Sequence, residues 1–172
     1  MEGVSSYTTT LIERFAGRGV LIDTNLLLLY AIGKYDPDIL SRESFDRVAT
    51  YSIEDYQLLG NLISLFRQKV TTPYVLAEVS NWIGYLARAQ EVECLRGLID
   101  SLDTFTELQV DSFELGKDAS FPFLGLTDMA LAAYANDYLI VTDDARLIFH
   151  LNELGREALN INHLRQEIWL MN

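Results

Sequence analysis

The segment Gly19-Val-Leu-Ile-Asp-Thr-Asn25 is a short apolar run that ends in three polar residues. Its length and composition predict a buried β-strand that stops at Asp23. The segment Leu139-Ile-Val-Thr-Asp-Asp144 has the same character, with two acids after the apolar run. Helical periodicity fills most of the chain between and beyond these strands. Strands that alternate with helices predict an α/β protein, a three-layer α/β/α fold with a central, mostly parallel sheet of four or five strands.

Apolar spacing and turn signals place the remaining elements. Strands are predicted over 70–72, 106–110, 138–142 and 158–161. Helices are predicted over 25–31, 41–68 (as two helices), 73–89, 91–102, 126–136, 145–154 and 163–171. Residues 112–125 are predicted to begin as a helix and to become a loop at Phe121-Pro122. Trp82 lies on an apolar helical stripe and is predicted to be part of the core. Residues 1–18 are polar at first and then weakly helical, which is compatible with an N-terminal arm.

The composition predicts a globular protein of the cytoplasm. The chain has 172 residues, of which 49% are hydrophobic and 22% are charged, as in an ordinary folded domain. Cys94 is its only cysteine, and with His150 and His163 as the only histidines a disulfide or a structural zinc site is not expected. The first ten residues lack the features of a secretory signal. The longest apolar run, residues 26–32, is far shorter than the roughly 20 residues of a membrane span.

The charge balance restricts the kind of partner that we expect. Thirteen basic residues stand against 25 acidic ones, which gives a net charge of −12. A general basic surface for nucleic acid is therefore not expected, because phosphate binding normally draws on lysine and arginine. The same balance is compatible with a carboxylate site that needs cations, or with docking of a basic protein partner.

Four acidic residues stand at strand exits or near helix starts. Asp23 and Asp144 follow predicted strands, Glu78 lies early in the helix predicted from Pro73, and Asp128 is the only charge in an apolar helical segment. Each has a structural alternative as a helix cap, as an acid favoured by the helix dipole, or as a solvated side chain. Because the carboxyl ends of parallel strands share one edge of the sheet, the four side chains can also converge there. Carboxylate oxygens suit Mg²⁺ or Mn²⁺.

Four segments of the chain resemble, in this order, those of the PIN domain. They are VLIDTN (20–25), TPYVLAEV (72–79), LTDMALAA (126–133) and LIVTDD (139–144). The resemblance covers the chain from about Gly19 to its end, which implies that residues 19–172 form a single PIN-like domain. It implies four catalytic carboxylates, of which Asp23, Asp128 and Asp144 hold a metal ion and Glu78 binds a second ion or acts through water. Supporting positions around these ligands fall on Asn25, Thr142 and Asp143.

The function that this resemblance implies is a metal-dependent ribonuclease that hydrolyses RNA phosphodiester bonds. The family member is most often the toxin of a toxin–antitoxin pair, which implies a basic antitoxin protein as partner. A homodimer is also implied, and dimers are the commonest assembly in general. The cations proposed to contact RNA are Lys34, Arg42, Lys117 and Arg146.

Three alternatives stay open on the sequence alone. A PIN-like domain can bind RNA or a protein without cutting. An aspartate-nucleophile phosphohydrolase would use Asp23, although Asn25 stands where the dehalogenase-like version expects a second aspartate. An α/β interaction protein would use the four acids only as helix caps.

Overall fold

The computed structural model of the chain describes residues 5–41 and 46–169. Its central sheet has five strands, and every neighbouring pair is parallel. The strands are β1 (Val20–Ile22), β2 (Lys69–Thr71), β3 (Phe105–Glu107), β4 (Leu139–Thr142) and β5 (Ala158–Asn160). They lie side by side in the order β3-β2-β1-β4-β5, with helices on both faces. The predicted three-layer α/β/α fold is confirmed.

Helices connect the strands and cover the sheet. Their bounds are α1 (Ser6–Ala16), α2 (Thr24–Tyr35), a 3-10 helix (Pro37–Ser41), α3 (Ile53–Ser64), α4 (Pro73–Ile83), α5 (Arg88–Leu102), α6 (Ser112–Leu115), α7 (Phe121–Ala133), α8 (Ala145–Glu153) and α9 (Ile161–Trp169). Within the two described ranges, none of these helices is long and apolar enough to cross a membrane.

The N-terminal segment packs against the rest of the chain, which corrects the predicted arm. Ser5 caps α1, because its hydroxyl accepts a hydrogen bond from the backbone N–H of Thr8 at 3.2 Å. Leu11, Ile12 and Phe15 are buried in the main core. Their spacing is that of a short amphipathic stripe, which the polar residues around it obscure in the sequence. The described part of residues 1–18 is therefore a core helix and its connection to β1.

Three other boundaries differ from the prediction. The helix predicted over 73–89 ends at Ile83, and α5 begins separately at Arg88. Of the segment 41–68, residues 53–64 form one α-helix and residues 46–50 form a turn, while residues 42–45 lie outside the described residues. Phe121 and Pro122 open α7 instead of forming a loop. Gly125 then interrupts α7 with a φ of 77°, a conformation that favours glycine.

The strand order creates a crevice at one edge of the sheet. From β1 the chain moves outward to β2 and β3, and it returns on the other side of β1 as β4 and β5. In parallel α/β sheets, ligands bind outside the carboxyl ends of the strands at such a point. Asp23 follows β1 directly, and Asp143 and Asp144 follow β4 directly. Residues 26–29 of α2 are wholly buried, so the start of this helix is held firmly beside the crevice.

Candidate active site

A cleft of about 520 Å³ lies beside the residues that follow β1 and β4. All four acids predicted as catalytic residues line it, namely Asp23, Glu78, Asp128 and Asp144. They come from four places in the fold: the end of β1, helix α4, helix α7 and the end of β4. The fold therefore brings to one cleft carboxylates that lie far apart in the sequence.

Asp23 is the most deeply buried of the four acids, with 5% of its surface exposed. It caps α2, because one carboxylate oxygen accepts the backbone N–H of Thr24 at 2.5 Å. The other oxygen accepts the hydroxyl of Thr142 at 2.5 Å. Burial raises the pKa of Asp23 to about 6, although both hydrogen bonds lower it, and the nearby charges of Asp143 and Asp144 raise it further. Asp23 thus acts as a helix cap, and its burial at the cleft disfavours the charged form of its carboxylate.

Asp144 caps α8 at the opposite side of the crevice. Its carboxylate accepts the backbone N–H groups of Arg146 at 2.7 Å and Leu147 at 3.4 Å. The Arg146 guanidinium also pairs with it at 3.2 Å. Burial raises the pKa of Asp144, but the hydrogen bonds and the charge of Arg146, together with the Leu147 N–H, bring it below its ordinary value overall. Asp144 is therefore ionised when it faces the cleft.

Asp143 is turned differently from its neighbour Asp144. Its carboxylate accepts the hydroxyl of Tyr51 at 2.5 Å and the side-chain amide of Asn25 at 3.3 Å. Tyr51 is buried, and burial followed by the contact with Asp143 raises the pKa of its hydroxyl. Asp143 is not among the residues that line the cleft, whereas Asn25 is. Asp144 therefore faces the cleft and Asp143 faces Tyr51 and Asn25, while the metal-binding role of the first and the supporting role of the second stay predictions.

Asp128 stands in α7, half-buried and without a hydrogen-bond donor among the described residues. Burial raises its pKa to about 7, and the charges of Asp23, Asp144 and Glu78 add to this effect against the opposing charge of Arg146. An ionised carboxylate that is withdrawn from water without a partner is unfavourable. Asp128 accepts no capping hydrogen bond among the described residues, although it stands in the first turn after the break at Gly125, where the helix dipole favours an acid.

Glu78 is exposed on α4 and connects two other helices. Its carboxylate accepts the hydroxyl of Thr24 at 2.9 Å and the hydroxyl of Thr127 at 2.7 Å. Thr127, a possible helix cap on sequence grounds, thus orients an acid on another helix instead. The bond from Thr24 holds Glu78 near the start of α2. The bond from Thr127 holds it near the residue that precedes Asp128 in α7. Thr24 was not singled out from the sequence and Thr127 was considered only as a helix cap, although each adjoins a predicted ligand.

The donor set suits a hard divalent cation, but the side chains are not gathered around one point. In residues 5–41 and 46–169, no three Asp, Glu, His or Cys side chains stand close enough together to hold a metal ion as placed. Three of the four carboxylates are turned onto the donors described above, and Asp128 is not. Carboxylate oxygens are the ligands that Mg²⁺ and Mn²⁺ favour, and a cation relieves the mutual repulsion of such a group. The donor types of the cleft fit such an ion, but the placement of the four carboxylates does not yet surround one.

The cations proposed for RNA contact are only partly at the cleft. Arg146 lines it. Lys117 does not, and it forms an ion pair with Glu114 one helical turn away at 2.5 Å. Lys34 does not line the cleft either, because it lies in the last turn of α2, about 16 Å along the helix from Asp23. Arg42 lies outside the described residues.

The wall of the cleft also contains residues that sequence reasoning did not place there. Arg47, Asn81, Trp82 and Tyr85 line it together with the acids. Trp82 packs against the core, as predicted, but it is only partly buried, and it also lines the cleft. Arg47 belongs to the segment between Gly33 and Val70, which carries no motif that would place it near an acid.

A scan against protein-family models found no match, and searches of curated proteins and of solved structures returned no significant match. The resemblance to PIN domains therefore rests on the four sequence segments. The fold and the shared cleft are compatible with it, and membership of the family stays a prediction.

The two neighbouring acids after β4 should differ in metal binding. We expect Asp144→Asn to weaken Mn²⁺ binding at least about tenfold, because a ligand charge is lost within a few ångströms of the ion. Asparagine is as good a helix cap as aspartate, so α8 should persist. Asp143→Asn is the matched control, with a change of less than about threefold, because it still accepts the Tyr51 hydroxyl. Isothermal titration of each variant with Mn²⁺ measures this, and equal losses would contradict it.

Proposed function

We propose that this chain is a metal-dependent ribonuclease of the PIN type, with Asp23, Asp128, Asp144 and Glu78 as the carboxylates that bind Mg²⁺ or Mn²⁺. The observation that carries the proposal is the environment of Asp128. This carboxylate has no donor partner in the described part of the chain, lines the same cleft as the other three acids, and is affected by their charges. Capping hydrogen bonds account for Asp23 and Asp144, whereas Asp128 accepts none among the described residues, and capping does not account for its proximity to the other acids.

Several side chains in and beside the cleft have a role in this proposal. Divalent ions in such sites supply an activated water and offset charge on the phosphate and the leaving oxygen. Thr142 holds the carboxylate of Asp23, and Thr24 and Thr127 hold that of Glu78. Arg146, exposed at the edge of the cleft, attracts the phosphate backbone.

Metal binding also explains how a chain with so many acidic residues can bind RNA. A net charge of −12 repels RNA over most of the surface. A cleft that holds four carboxylates repels phosphate most strongly when it lacks a cation. Bound divalent ions offset this local charge, so metal binding and RNA binding are expected to be coupled. RNA affinity should therefore increase with the concentration of Mn²⁺.

The test combines metal binding with cleavage. We expect Mn²⁺ at 100 times its dissociation constant to stabilise the fold by about 2.7 kcal/mol, measured as a rise in the thermal unfolding midpoint. Under the same conditions the chain should cleave a single-stranded RNA labelled with a fluorophore and a quencher, and excess EDTA should stop the reaction. Metal binding without cleavage would favour a silent binding module. Capture of phosphate on Asp23 would favour the aspartate-nucleophile phosphohydrolase.

The biological setting belongs to the same proposal. A role as the toxin of a toxin–antitoxin pair, a homodimer and a basic antitoxin partner are proposed from the family resemblance alone. A cytoplasmic location is proposed because the single cysteine, Cys94, is buried and free. A neighbouring gene that encodes a small DNA-binding protein would support the toxin role, and light scattering of the purified chain tests the dimer.

A further inference from the structure

An aromatic pair stands on the wall of the cleft. The rings of Trp82, in α4, and Tyr85, in the turn that follows, are stacked with centroids 5.5 Å apart and an interplanar angle of 29°. The turn is fixed by a hydrogen bond from the backbone N–H of Tyr85 to the carbonyl of Trp82 at 3.1 Å. Tyr85 is nevertheless 74% exposed. A tyrosine ring is therefore held in a fixed orientation while much of its surface faces water.

A guanidinium group completes this wall. Arg47 lies over the ring of Trp82, with its Cζ atom 3.3 Å from the ring centroid. No carboxylate forms an ion pair with Arg47 within the described residues. Stacking on an indole orients the planar guanidinium and leaves its N–H groups available for an anion. Arg47, Trp82 and Tyr85 all line the cleft that contains the four acids.

We propose that Arg47, Trp82 and Tyr85 form a stacking platform for an unpaired base of single-stranded RNA, with Arg47 binding a phosphate next to that base. This inference rests on the proposed ribonuclease function, and it names the class of RNA that the cleft accepts. Proteins that bind single strands combine exposed aromatic faces with positive charge along the backbone, and the platform supplies both. Paired bases have their faces covered by neighbours, so duplex RNA cannot use it.

The platform lies in the same cleft as the four carboxylates and Arg146. A strand whose base stacks on Tyr85 therefore has its neighbouring phosphates in the cleft that contains the proposed metal ligands. An acidic chain lacks a general basic surface, so stacking should supply a large share of its affinity for RNA. Binding should accordingly depend on Tyr85 more than on any one exposed lysine.

The experiment measures binding of a short single-stranded RNA by fluorescence anisotropy in Mg²⁺, with Asp128→Asn in every variant to slow cleavage during the measurement. We expect Tyr85→Ala to weaken binding about 5- to 100-fold, the range of base–aromatic stacking, and Tyr85→Phe to bind like the parent. Phe113→Ala is the matched control, because Phe113 is 83% exposed and does not line the cleft. With Trp169→Phe added, the remaining tryptophan, Trp82, should lose fluorescence when RNA binds.

The outcomes separate this inference from the proposed function. Equal affinity of Tyr85→Ala and Phe113→Ala, equal binding of a matched duplex, or no binding of single strands at all would overturn the platform. If the parent protein still cleaves RNA with Mn²⁺ in those cases, the ribonuclease proposal stands without it. If binding depends on Tyr85 but the parent never cleaves, the platform stands and the ribonuclease proposal fails.

Discussion

Replacing Asp128 with asparagine is expected to lower metal-dependent RNA cleavage by at least about 100-fold, the usual loss when one group that stabilises charge in the transition state is removed. The same change should leave the metal-free fold at least as stable as the parent at pH 8. Asparagine has nearly the shape of aspartate but no charge, so it removes the repulsion that Asp23, Asp144 and Glu78 exert on position 128. If Asp128 only stabilised the fold, Asp128→Asn would lower the stability of the metal-free protein and leave the cleavage rate of the folded protein unchanged.

The pH dependence of stability gives a second measurement on the same variant. The pKa of Asp128 in the folded protein, about 7, lies above its ordinary value of 3.8. Between these two values the folded state holds a proton that the unfolded state releases, so the stability of the metal-free parent falls as the pH rises toward 7. Asp128→Asn has no such proton and should lose this part of the pH dependence. Thermal unfolding in EDTA from pH 5 to pH 8 measures the difference.

A control variant separates this effect from general charge removal. Asp103 is exposed at the end of α5 and does not line the cleft. Asp103→Asn should keep the parent's cleavage rate and pH dependence of stability. Cleavage by Asp128→Asn at the rate of Asp103→Asn would remove Asp128 from the active site.

The main parts of the candidate site were predictable because they depend on local sequence. An apolar run of strand length followed by an acid places Asp23 and Asp144 at the same edge of any parallel sheet. The Thr72-Pro73 start of α4 fixes the position of Glu78 in its helix, and the hydroxyl of Thr72 does cap that helix. Asp128 was predicted as a site residue because it is the only charged residue in an apolar helical segment. Each of these signals lies within a few residues of the side chain concerned.

Other parts of the site depend on contacts between distant segments, which one sequence does not reveal. The strand order that makes β1 and β4 neighbours was not assigned from the sequence. Tyr51 and Arg47 come from the long segment between Gly33 and Val70, and they reach Asp143 and Trp82 only through the packing of that segment. No local pattern relates a tyrosine at 51 to an acid at 143. This segment, which carries no recognisable motif, supplies Arg47 to the wall of the cleft.

The N-terminal helix shows a different limit of the sequence reasoning. Residues 5–10 are polar, and a helix with only three buried apolar side chains is marginal when judged alone. Its stability comes from Leu11, Ile12 and Phe15 packing against the core. These contacts depend on the tertiary structure. Helix propensity alone therefore could not decide between an arm and a helix.

Thr142→Val is expected to reduce the free energy of unfolding by about 3 kcal/mol, because this hydroxyl joins the two strand ends that form the crevice. Thr142 has no exposed surface, donates to the carboxylate of Asp23 at 2.5 Å, and accepts the backbone N–H of Asp144 at 2.9 Å. Valine fills the same volume and makes neither bond. For a chain of this size the unfolding midpoint should fall by roughly 6–12 °C.

The loss should depend on pH in a way that identifies its cause. The Thr142 bond lowers the pKa of Asp23, which burial has raised to about 6, so its removal raises that pKa further. A higher folded pKa means that more stability is lost as the pH rises through it, so the penalty of Thr142→Val in the metal-free protein should be larger at pH 8 than at pH 5. Thr142→Ser keeps the hydroxyl and loses one methyl group, with a penalty of about 1 kcal/mol that is the same at both pH values. If valine and serine cost the same, or if the valine penalty does not change with pH, the hydroxyl does not govern the charge of Asp23, and the two strand ends are held together by packing alone.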